Sequence, residues 1–283
     1  MADYIFSKGT FLKREGFRNI VNQFKSAGWV DVSSNPTADF VVLNSKGESG
    51  DKDLFIQLRP FETVEATNST ETTDFNIITY RLIEKYTPGA TGVSGTFERP
   101  TETWQKIHLV PLATVVNKDT ELTYHAHVNK NRMIITIESP PTVNLNAITY
   151  YIGLPDVTYT TESGSKGLVV PSTFYPRTNG VIHVSNSADG TPNETTSTTR
   201  TIYCTLSPKN PNSAGLFTFS EMLYGSTTEG IRGKLSGLFA LPNGGVNTGD
   251  IIKVGMKEFR IIVNQQTSTY TSFPTATFAI QIA

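Results

Sequence analysis

The sequence predicts a mainly β protein, in which one amphipathic helix packs on an antiparallel sheet and a second, all-β part follows. Three observations support this fold class. About 40 of the 283 residues are threonine, whose branched Cβ favours strands over helices. Short apolar runs follow one another and are bounded by glycine, proline, asparagine and serine. A single segment has the periodicity of a helix.

The helix is expected at residues 12–27. Thr10 is in the position of an N-cap, and Gly28 is in that of the C′ glycine that ends a helix. The short N-terminus is expected to lead directly into the helix. The apolar residues recur at intervals of three and four, so that they share one face: Leu12, Phe17, Ile20, Val21, Phe24 and Ala27.

The N-terminal part, residues 1–155, is predicted to place this helix on a largely antiparallel sheet. In one strand, Leu54–Arg59, leucine and isoleucine alternate with the other three side chains, which predicts one face in a core and one in solvent or at a partner. Asn129–Asn131 is expected to close a tight hairpin, because asparagine tolerates positive φ. The predicted strands are Phe40–Leu43, Leu54–Arg59, Phe75–Tyr86, Trp104–Leu112, Leu122–Val128, Arg132–Glu138 and Ala147–Leu154.

The C-terminal part, residues 156–283, is predicted to be a β-sandwich or barrel, which strand spacing does not distinguish. Its clearest hairpin joins Asp250–Val254 to Phe259–Val263 through a Gly255-Met256 turn. Residues 185–200 are almost wholly Ser, Thr, Asn, Asp and Gly, and they are expected to form a flexible loop. The other predicted strands are Leu168–Val170, Val181–Val184, Thr201–Ser207, Leu216–Phe219, Leu235–Leu241 and Thr277–Ile282.

Composition excludes several classes of function. The net charge is −1 and charged residues make up 17% of the chain, so no strong positive field indicates direct nucleic-acid recognition. One cysteine cannot form an internal disulfide or a thiolate zinc site. No stretch approaches 18 apolar residues, so membrane insertion is not expected, and no signal peptide is recognisable.

Signatures of nucleophilic and phosphate chemistry are missing, and no catalytic or cofactor-binding residue is predicted. Cys204 lies in a strand-like run and is interpreted as a small core residue. The glycine-rich segment Gly89–Gly95 joins two strands and is interpreted as a hairpin loop. Neither of two close carboxylate pairs is marked as catalytic: Asp51 with Asp53, and Glu98 with Glu102.

The best candidate for metal binding is the sequence His125-Ala-His127. Alternation places both imidazoles on one face of a strand. The other histidines, His108 and His183, lack ligand spacing to this pair. The favoured interpretation is therefore that both histidines lie on a solvated face of the strand, and no metal is expected.

A carbohydrate site is an open alternative. Such sites use exposed aromatic faces beside polar groups, whereas tyrosine is also common in strands and interfaces. The candidate tyrosines near loops are Tyr150, Tyr151, Tyr159, Tyr175 and Tyr224.

Four parts of the chain carry a family resemblance: residues 12–27, Asp53–Arg59, Phe97–Pro111 and Gly249–Val263. The last has the pattern Gly-Asp-hydrophobic, turn, aromatic-Arg-hydrophobic. In these the chain resembles structural proteins of tailed bacteriophages, of the tail, neck or baseplate type found in contractile-tailed phages. The resemblance implies a homo-oligomeric ring, often a hexamer, and docking to neighbouring tail or neck proteins. It further implies a location in the virion, assembly in the host cytoplasm, and no enzymatic activity.

Arg59 and Trp104 are the candidate interface residues. Both lie in alternating predicted strands, where one face can meet a partner, and arginine and tryptophan contribute strongly to interface energy. The competing interpretation places both at the edge of a monomer core. The leading functional prediction is a virion building block, and the alternatives are a peripheral receptor- or carbohydrate-binding module and a wall-degrading or metal-dependent enzyme.

Overall fold

The computed structural model describes residues 4–60, 77–98, 104–110, 117–140, 147–158, 168, 202–203, 219–226, 230–241, 245–263 and 277–283. Within these ranges the protein is mainly β with a single α-helix, as predicted. The strands are β1 (Ile5–Leu12), β2 (Val30–Asp31), β3 (Val41–Ser45), β4 (Leu54–Arg59), β5 (Ile77–Ile83), β6 (Lys85–Thr87), β7 (Thr96–Glu98), β8 (Gln105–His108), β9 (Glu121–Val128), β10 (Arg132–Glu138), β11 (Ala147–Gly153), β12 (Val157–Thr158), β13 (Ile202–Tyr203), β14 (Ser220–Ser226), β15 (Gly230–Leu241), β16 (Ile251–Val254), β17 (Lys257–Val263) and β18 (Thr277–Gln281).

The helix α1 spans Gly16–Ser26 and follows a 3-10 turn at Lys13–Glu15. The predicted start was wrong, because the chain before this turn forms strand β1. Thr10 lies in β1 and is not an N-cap; its hydroxyl donates to Glu121 Oε1 at 2.7 Å. The backbone N–H of Lys13 donates to the Thr120 carbonyl at 2.9 Å, so pairing across the sheet continues to the start of the 3-10 turn.

The helix ends as predicted, at Gly28. This residue has φ +90°, and its N–H donates to the Lys25 carbonyl at 3.0 Å. The N–H of Trp29 donates to the Phe24 carbonyl at 3.2 Å, which completes a Schellman motif. The Trp29 indole then donates to the Asn129 carbonyl at 3.0 Å and ties the helix end to the β9–β10 hairpin.

A four-stranded sheet has the order β1-β9-β10-β11, all antiparallel. The predicted hairpin at Asn129–Asn131 is confirmed, but its mechanism is different. The Asn129 side chain accepts hydrogen bonds from the N–H groups of Asn131 and Arg132, both at 2.9 Å. Neither asparagine has positive φ.

A five-stranded sheet has the order β2-β3-β4-β5-β8, and β6 pairs with β7 in a separate hairpin. The predicted strand Phe75–Tyr86 is therefore two strands in its described part, β5 and β6. The segment Gly89–Gly95 connects β6 to β7, as the hairpin interpretation predicted. Trp104 comes directly before β8.

A seven-stranded antiparallel sheet contains the described strands of the C-terminal part. Its order is β13-β14-β15-β18-β17-β16, and β12 also pairs with β15. The turn Gly255-Met256 joins β16 to β17 as predicted. Phe219 lies before β14 and not at the end of a strand. Residues 169–201, which include the predicted loop at 185–200 and the strand Val181–Val184, lie outside the described residues.

Two cores lie on opposite faces of the four-stranded sheet. The inner core contains the helix and one face of the five-stranded sheet, with members such as Ile20, Ile56 and Ile135. The outer core joins the four-stranded to the seven-stranded sheet, through Ile134 and Tyr151 on one side. The side chains from the seven-stranded sheet are Met222, Leu235, Leu238, Ala240, Ile262, Phe278 and Ile280.

Strand β4 corrects one expectation from the sequence. Its leucine and isoleucine side chains face the inner core, as predicted. The other face is not open to solvent, because Phe55 belongs to a small core under the β6–β7 hairpin. Gln57 is also buried and donates to the Asp39 carbonyl at 2.7 Å. Only Arg59 at the strand end is half-buried.

The division into domains near residue 155 stays a prediction.

Candidate functional site

Arg59 and Trp104, the two candidate interface residues, are in direct contact on the outer face of the five-stranded sheet. The Arg59 guanidinium carbon lies 4.4 Å from the centre of the Trp104 ring. Arg81 on β5 lies 5.3 Å from the same ring. Phe40 packs edge-on to Trp104 at 6.1 Å, and Arg59 is 5.7 Å from the Phe40 ring. We call these four residues the arginine–aromatic cluster.

Sheet register explains why the cluster forms. Strand β5 lies between β4 and β8, and Arg81 on it is opposite Gln57. Side chains at alternate positions share a face, so Gln57, Arg59 and Arg81 lie on the side away from the inner core. Arg59 is held in place by a hydrogen bond from its Nε to Thr79 Oγ1 at 3.1 Å.

All four side chains of the cluster are half-buried. At partly exposed sites a cation–π contact contributes about 0.5–1 kcal/mol, and more when water is removed. The cluster therefore orders two arginines and two aromatic rings while it leaves part of each accessible.

A buried carboxylate lies behind this surface. Asp39 is fully buried and accepts hydrogen bonds from the Tyr86 hydroxyl at 2.6 Å and the Ser34 hydroxyl at 3.0 Å. The Ser94 hydroxyl also donates to it, and the Gly95 N–H donates at 3.0 Å. These donors come from the segment before β3 and from the β6–β7 hairpin, so Asp39 fastens the two together.

The charge of Asp39 is stabilised by this arrangement. Burial by itself raises the pKa of the carboxyl group, but the hydrogen bonds from Ser94, Tyr86, Gly95 and Ser34 have the larger combined effect. They lower the pKa of Asp39 to about 2 from 3.8. The hydrogen bond between these two groups has the opposite effect on Tyr86: burial and the Asp39 carboxylate raise the pKa of its hydroxyl group.

Phe40 follows Asp39 and has φ +59°, the one positive value at a non-glycine residue in the described ranges. A bulky residue in this conformation is strained by about 1–3 kcal/mol and persists only where its surroundings enforce it. Here the hydrogen bonds of Asp39 fix the preceding residue, and Phe40 reaches the cluster. Asp39, Phe40 and Arg81 were not among the predicted site residues, since no spacing pattern in the sequence connects them to Arg59.

The histidine pair lies elsewhere, between the four-stranded and seven-stranded sheets. Both imidazoles share one face of β9, but His125 is 7% and His127 2% exposed, so the expected solvated face was wrong. The His127 ring packs against Tyr4 at 4.2 Å and Phe6 at 4.8 Å. In the described part of the chain, no group of three or more His, Cys, Asp or Glu side chains is arranged to hold a metal.

The other chemical candidates are dispersed. Asp53 pairs with Lys46 on the surface, and the Ser49 hydroxyl donates to Asp51. Glu98 pairs with Lys85 across the β6–β7 hairpin at 3.0 Å. Glu102 and Cys204 lie outside the described residues.

Of the tyrosines proposed for carbohydrate binding, the two whose side chains the structure describes are buried. Tyr150 and Tyr151 lie in β11, within the predicted strand Ala147–Leu154, and are 2% and 0% exposed, so neither offers the exposed ring face that a carbohydrate site needs. The Tyr150 hydroxyl accepts a hydrogen bond from the His108 N–H at 2.7 Å, so it has a structural role in the inner core. Tyr159 and Tyr175 lie outside the described residues, and Tyr224 is in β14.

Comparison with known proteins finds neither a matching family model nor a matching curated protein. No helix within the described ranges is long and apolar enough to cross a membrane.

Proposed function

We propose that the protein is a non-enzymatic structural component of a bacteriophage particle, in the tail, neck or baseplate. It acts by assembling with copies of itself into a ring and by docking to neighbouring virion proteins. The arginine–aromatic cluster is the observation that carries the proposal. The cluster contains Arg59 and Trp104, the two residues predicted from the sequence to lie at an interface. The Arg59 guanidinium carbon is 4.4 Å from the centre of the Trp104 ring.

The chemistry of the cluster suits a protein interface. Tryptophan and arginine are enriched among residues that dominate binding energy, and such residues are effective when they are ordered before binding. Trp104 is flanked by two guanidinium groups and by the Phe40 ring, so little side-chain freedom remains to be lost. Removal of water by a partner strengthens each cation–π contact.

We also propose where the protein resides and which partners it contacts. The protein is assembled in the host cytoplasm and then resides in the virion. A net charge of −1 suits contact with other proteins better than sequence-specific contact with nucleic acid. Support for the phage assignment itself comes from the resemblance of residues 12–27, Asp53–Arg59, Phe97–Pro111 and Gly249–Val263 to virion components.

The test compares assembly with monomer stability. Trp104→Ala and Arg59→Ala are expected to abolish the multimer seen by size-exclusion chromatography with light scattering, while the melting temperature changes little. Arg18→Ala is the matched control, because its side chain is 72% exposed on α1 and pairs only with Glu15, three residues away, in the described contacts. A wild-type monomer, or an equal loss of assembly and stability in both cluster variants, contradicts the proposal.

The alternative functions have their own outcomes in the same study. Binding to host cell wall or glycans that is lost on substitution of Tyr159, Tyr175 or Tyr224 favours a receptor- or carbohydrate-binding module. Substrate turnover that disappears with one carboxylate or histidine substitution favours an enzyme. Either result overturns the building-block proposal.

A further inference from the structure

His125 and His127 lie in the seam between the four-stranded and seven-stranded sheets. Neighbouring residues of β9 face the inner core, so these two point the opposite way, towards β15 and β17. His127 contacts β15 at Gly237, where an added Cβ would lie 3.1 Å from the ring carbon Cε1. His125 Nε2 is 4.0 Å from Glu138, which is bonded to Arg260 on β17. We call this region the histidine seam.

The charged groups around the histidine seam come from every element packed there. Each acidic group already has an arginine: Glu138 accepts two hydrogen bonds from Arg260, at 2.5 and 2.6 Å, and Asp156 pairs with Arg132. Glu138 lies 4.0 Å from His125 Nε2 but is already paired with Arg260, so among the described residues it balances a charged imidazole only in part. The facing groups are Tyr4 and Lys8 at β1, Arg132 and Glu138 on β10, Asp156 before β12, and Lys257 and Arg260 on β17.

The imidazoles also lack hydrogen-bond partners for a second N–H. Among the described residues, Nδ1 of His125 and both ring nitrogens of His127 have none. The Tyr4 and Phe6 rings pack against His127, and β15 approaches it so closely at Gly237 that an added Cβ would lie 3.1 Å from Cε1. A protonated ring therefore reaches water only when the two sheets part.

We propose that acid opens the histidine seam: protonation of His125 and His127 separates the seven-stranded from the four-stranded sheet while the inner core stays folded. The inner core is expected to stay folded because it lies on the face of β9 opposite both imidazoles, and its hydrophobic members do not titrate in this range. The inference concerns a conformational response of the protein and is independent of the proposed function.

The expected size of the effect follows from proton linkage. Burial, with Arg132 and Lys257, lowers the pKa of His127 to about 3 from 6.5. Burial, with Arg260 and Lys8, also lowers the pKa of His125, against the effect of Glu138. Since the closed seam binds protons less tightly than the open one, opening becomes more favourable as the pH falls below 6.5. At pH 5, His127 alone increases the opening constant about 30-fold.

The methionines provide a direct measurement. Met222 belongs to the outer core, between the same two sheets as the histidine seam, and Met133 belongs to the inner core; they are 3% and 0% exposed, whereas Met256 is 99% exposed at the β16–β17 turn. Oxidation by dilute hydrogen peroxide converts accessible methionine to the sulfoxide. Mass spectrometry of each site is compared at pH 7.5 and pH 5, with Met256 as the internal reference. The Met222 rate is expected to rise about 30-fold or more relative to Met256, and Met133 is expected to remain protected.

Variants test whether the histidines cause the response. The double variant His125→Gln/His127→Gln, which cannot take up these protons, is expected to lose the acid-dependent oxidation of Met222. His108→Gln is the matched control, since His108 is also buried but lies on the five-stranded sheet, and it should respond as the wild type does.

Three results would overturn the inference. They are a Met222 rate that changes less than threefold between the two pH values, equal acceleration at Met222 and Met133, and a double variant with an unchanged acid response. If the double variant does not fold, the wild-type comparison of Met222 with Met133 decides alone.

Discussion

At the scale of single residues, the buried carboxylate of Asp39 organises the surface that carries the arginine–aromatic cluster. It accepts hydrogen bonds from Ser34, Tyr86, Ser94 and Gly95, and the strained residue Phe40 follows it. Hydrogen bonds to a charged group contribute about 1.5–3 kcal/mol, and a buried donor left unpaired costs about 1–3 kcal/mol. Loss of the carboxylate would therefore leave these buried donors without an acceptor and would destabilise the folded protein.

Asp39→Asn tests this role, because the amide keeps the shape but replaces an acceptor oxygen with a donor group. We expect the free energy of unfolding in urea at pH 7 to fall by about 2–3 kcal/mol. Asp53→Asn is the control, since Asp53 is 57% exposed and pairs with Lys46 on the surface, and it should change little. Equal effects of the two substitutions would show that the Asp39 network does not stabilise the fold.

The pH dependence of stability gives a second measure of Asp39. Its pKa is about 2 in the folded protein against 3.8 without these contacts, so the folded carboxylate binds its proton less tightly. The ionised carboxylate therefore stabilises the folded protein fully above about pH 4. As the pH falls towards 2, the free energy of unfolding is expected to decrease by about 2 kcal/mol. Urea titrations across this interval should show this loss in the wild type and its absence in Asp39→Asn.

Residue type predicted part of the candidate site. Arg59 and Trp104 were identified because arginine and tryptophan are favoured at interfaces, and the structure brings them together. Arg81 and Phe40 could not be identified in this way, because their contact with Trp104 depends on which strands are neighbours. Asp39 carries no sequence signal, since its donors are 4 to 56 residues away along the chain.

At the scale of elements, the backbone of β15 at Gly237 determines how closely the seven-stranded sheet approaches the four-stranded sheet. Gly237 has φ +94° and lies between the residues that pair with β12 and those that pair with β18. An added Cβ would be 2.9 Å from Ile134 Cδ1 and 3.1 Å from His127 Cε1. Glycine is thus required twice, for the backbone conformation and for the close approach of the sheets.

Gly237→Ala is expected to lower the free energy of unfolding by about 2–3 kcal/mol, from backbone strain and overpacking together. Gly50→Ala separates the two causes, because Gly50 also has positive φ, +79°, but no atom lies within 4 Å of the added Cβ. Gly50→Ala is expected to lower the free energy of unfolding by about 1 kcal/mol. Thermal melts of both variants check this, and equal shifts would mean that packing at β15 is loose.

Local pattern predicted most described elements, and its errors have physical causes. The alternation in β4 was right, but its second face is covered by the β6–β7 hairpin, a tertiary contact that periodicity does not contain. Strand β1 was missed because Ser7, Lys8 and Gly9 interrupt its apolar pattern, and its stability comes from pairing with β9. The helix end was right because Gly28 supplies a strictly local motif.

At the scale of the whole molecule, the four-stranded sheet is the central layer, covered on one face by the inner core and on the other by the seven-stranded sheet. A charged contact crosses the second boundary: the Arg260 guanidinium on β17 binds both oxygens of Glu138 on β10. Both side chains are mostly buried, at 16% and 13% exposure. Paired hydrogen bonds between charged groups are among the strongest polar contacts in proteins.

A double-mutant cycle measures what this contact contributes to holding the layers together. We expect Glu138→Gln and Arg260→Gln each to destabilise the protein, and the coupling between them to be about 1.5–3 kcal/mol in urea unfolding at pH 7.5. The control cycle uses Lys253 and Glu258 in the adjacent hairpin, which are paired at 2.7 Å with Lys253 72% exposed, and which should show no measurable coupling. A Glu138–Arg260 coupling too small to measure, as expected for the control pair, would mean that burial between the sheets adds nothing to this contact and that the two sheets are held together by apolar side chains alone.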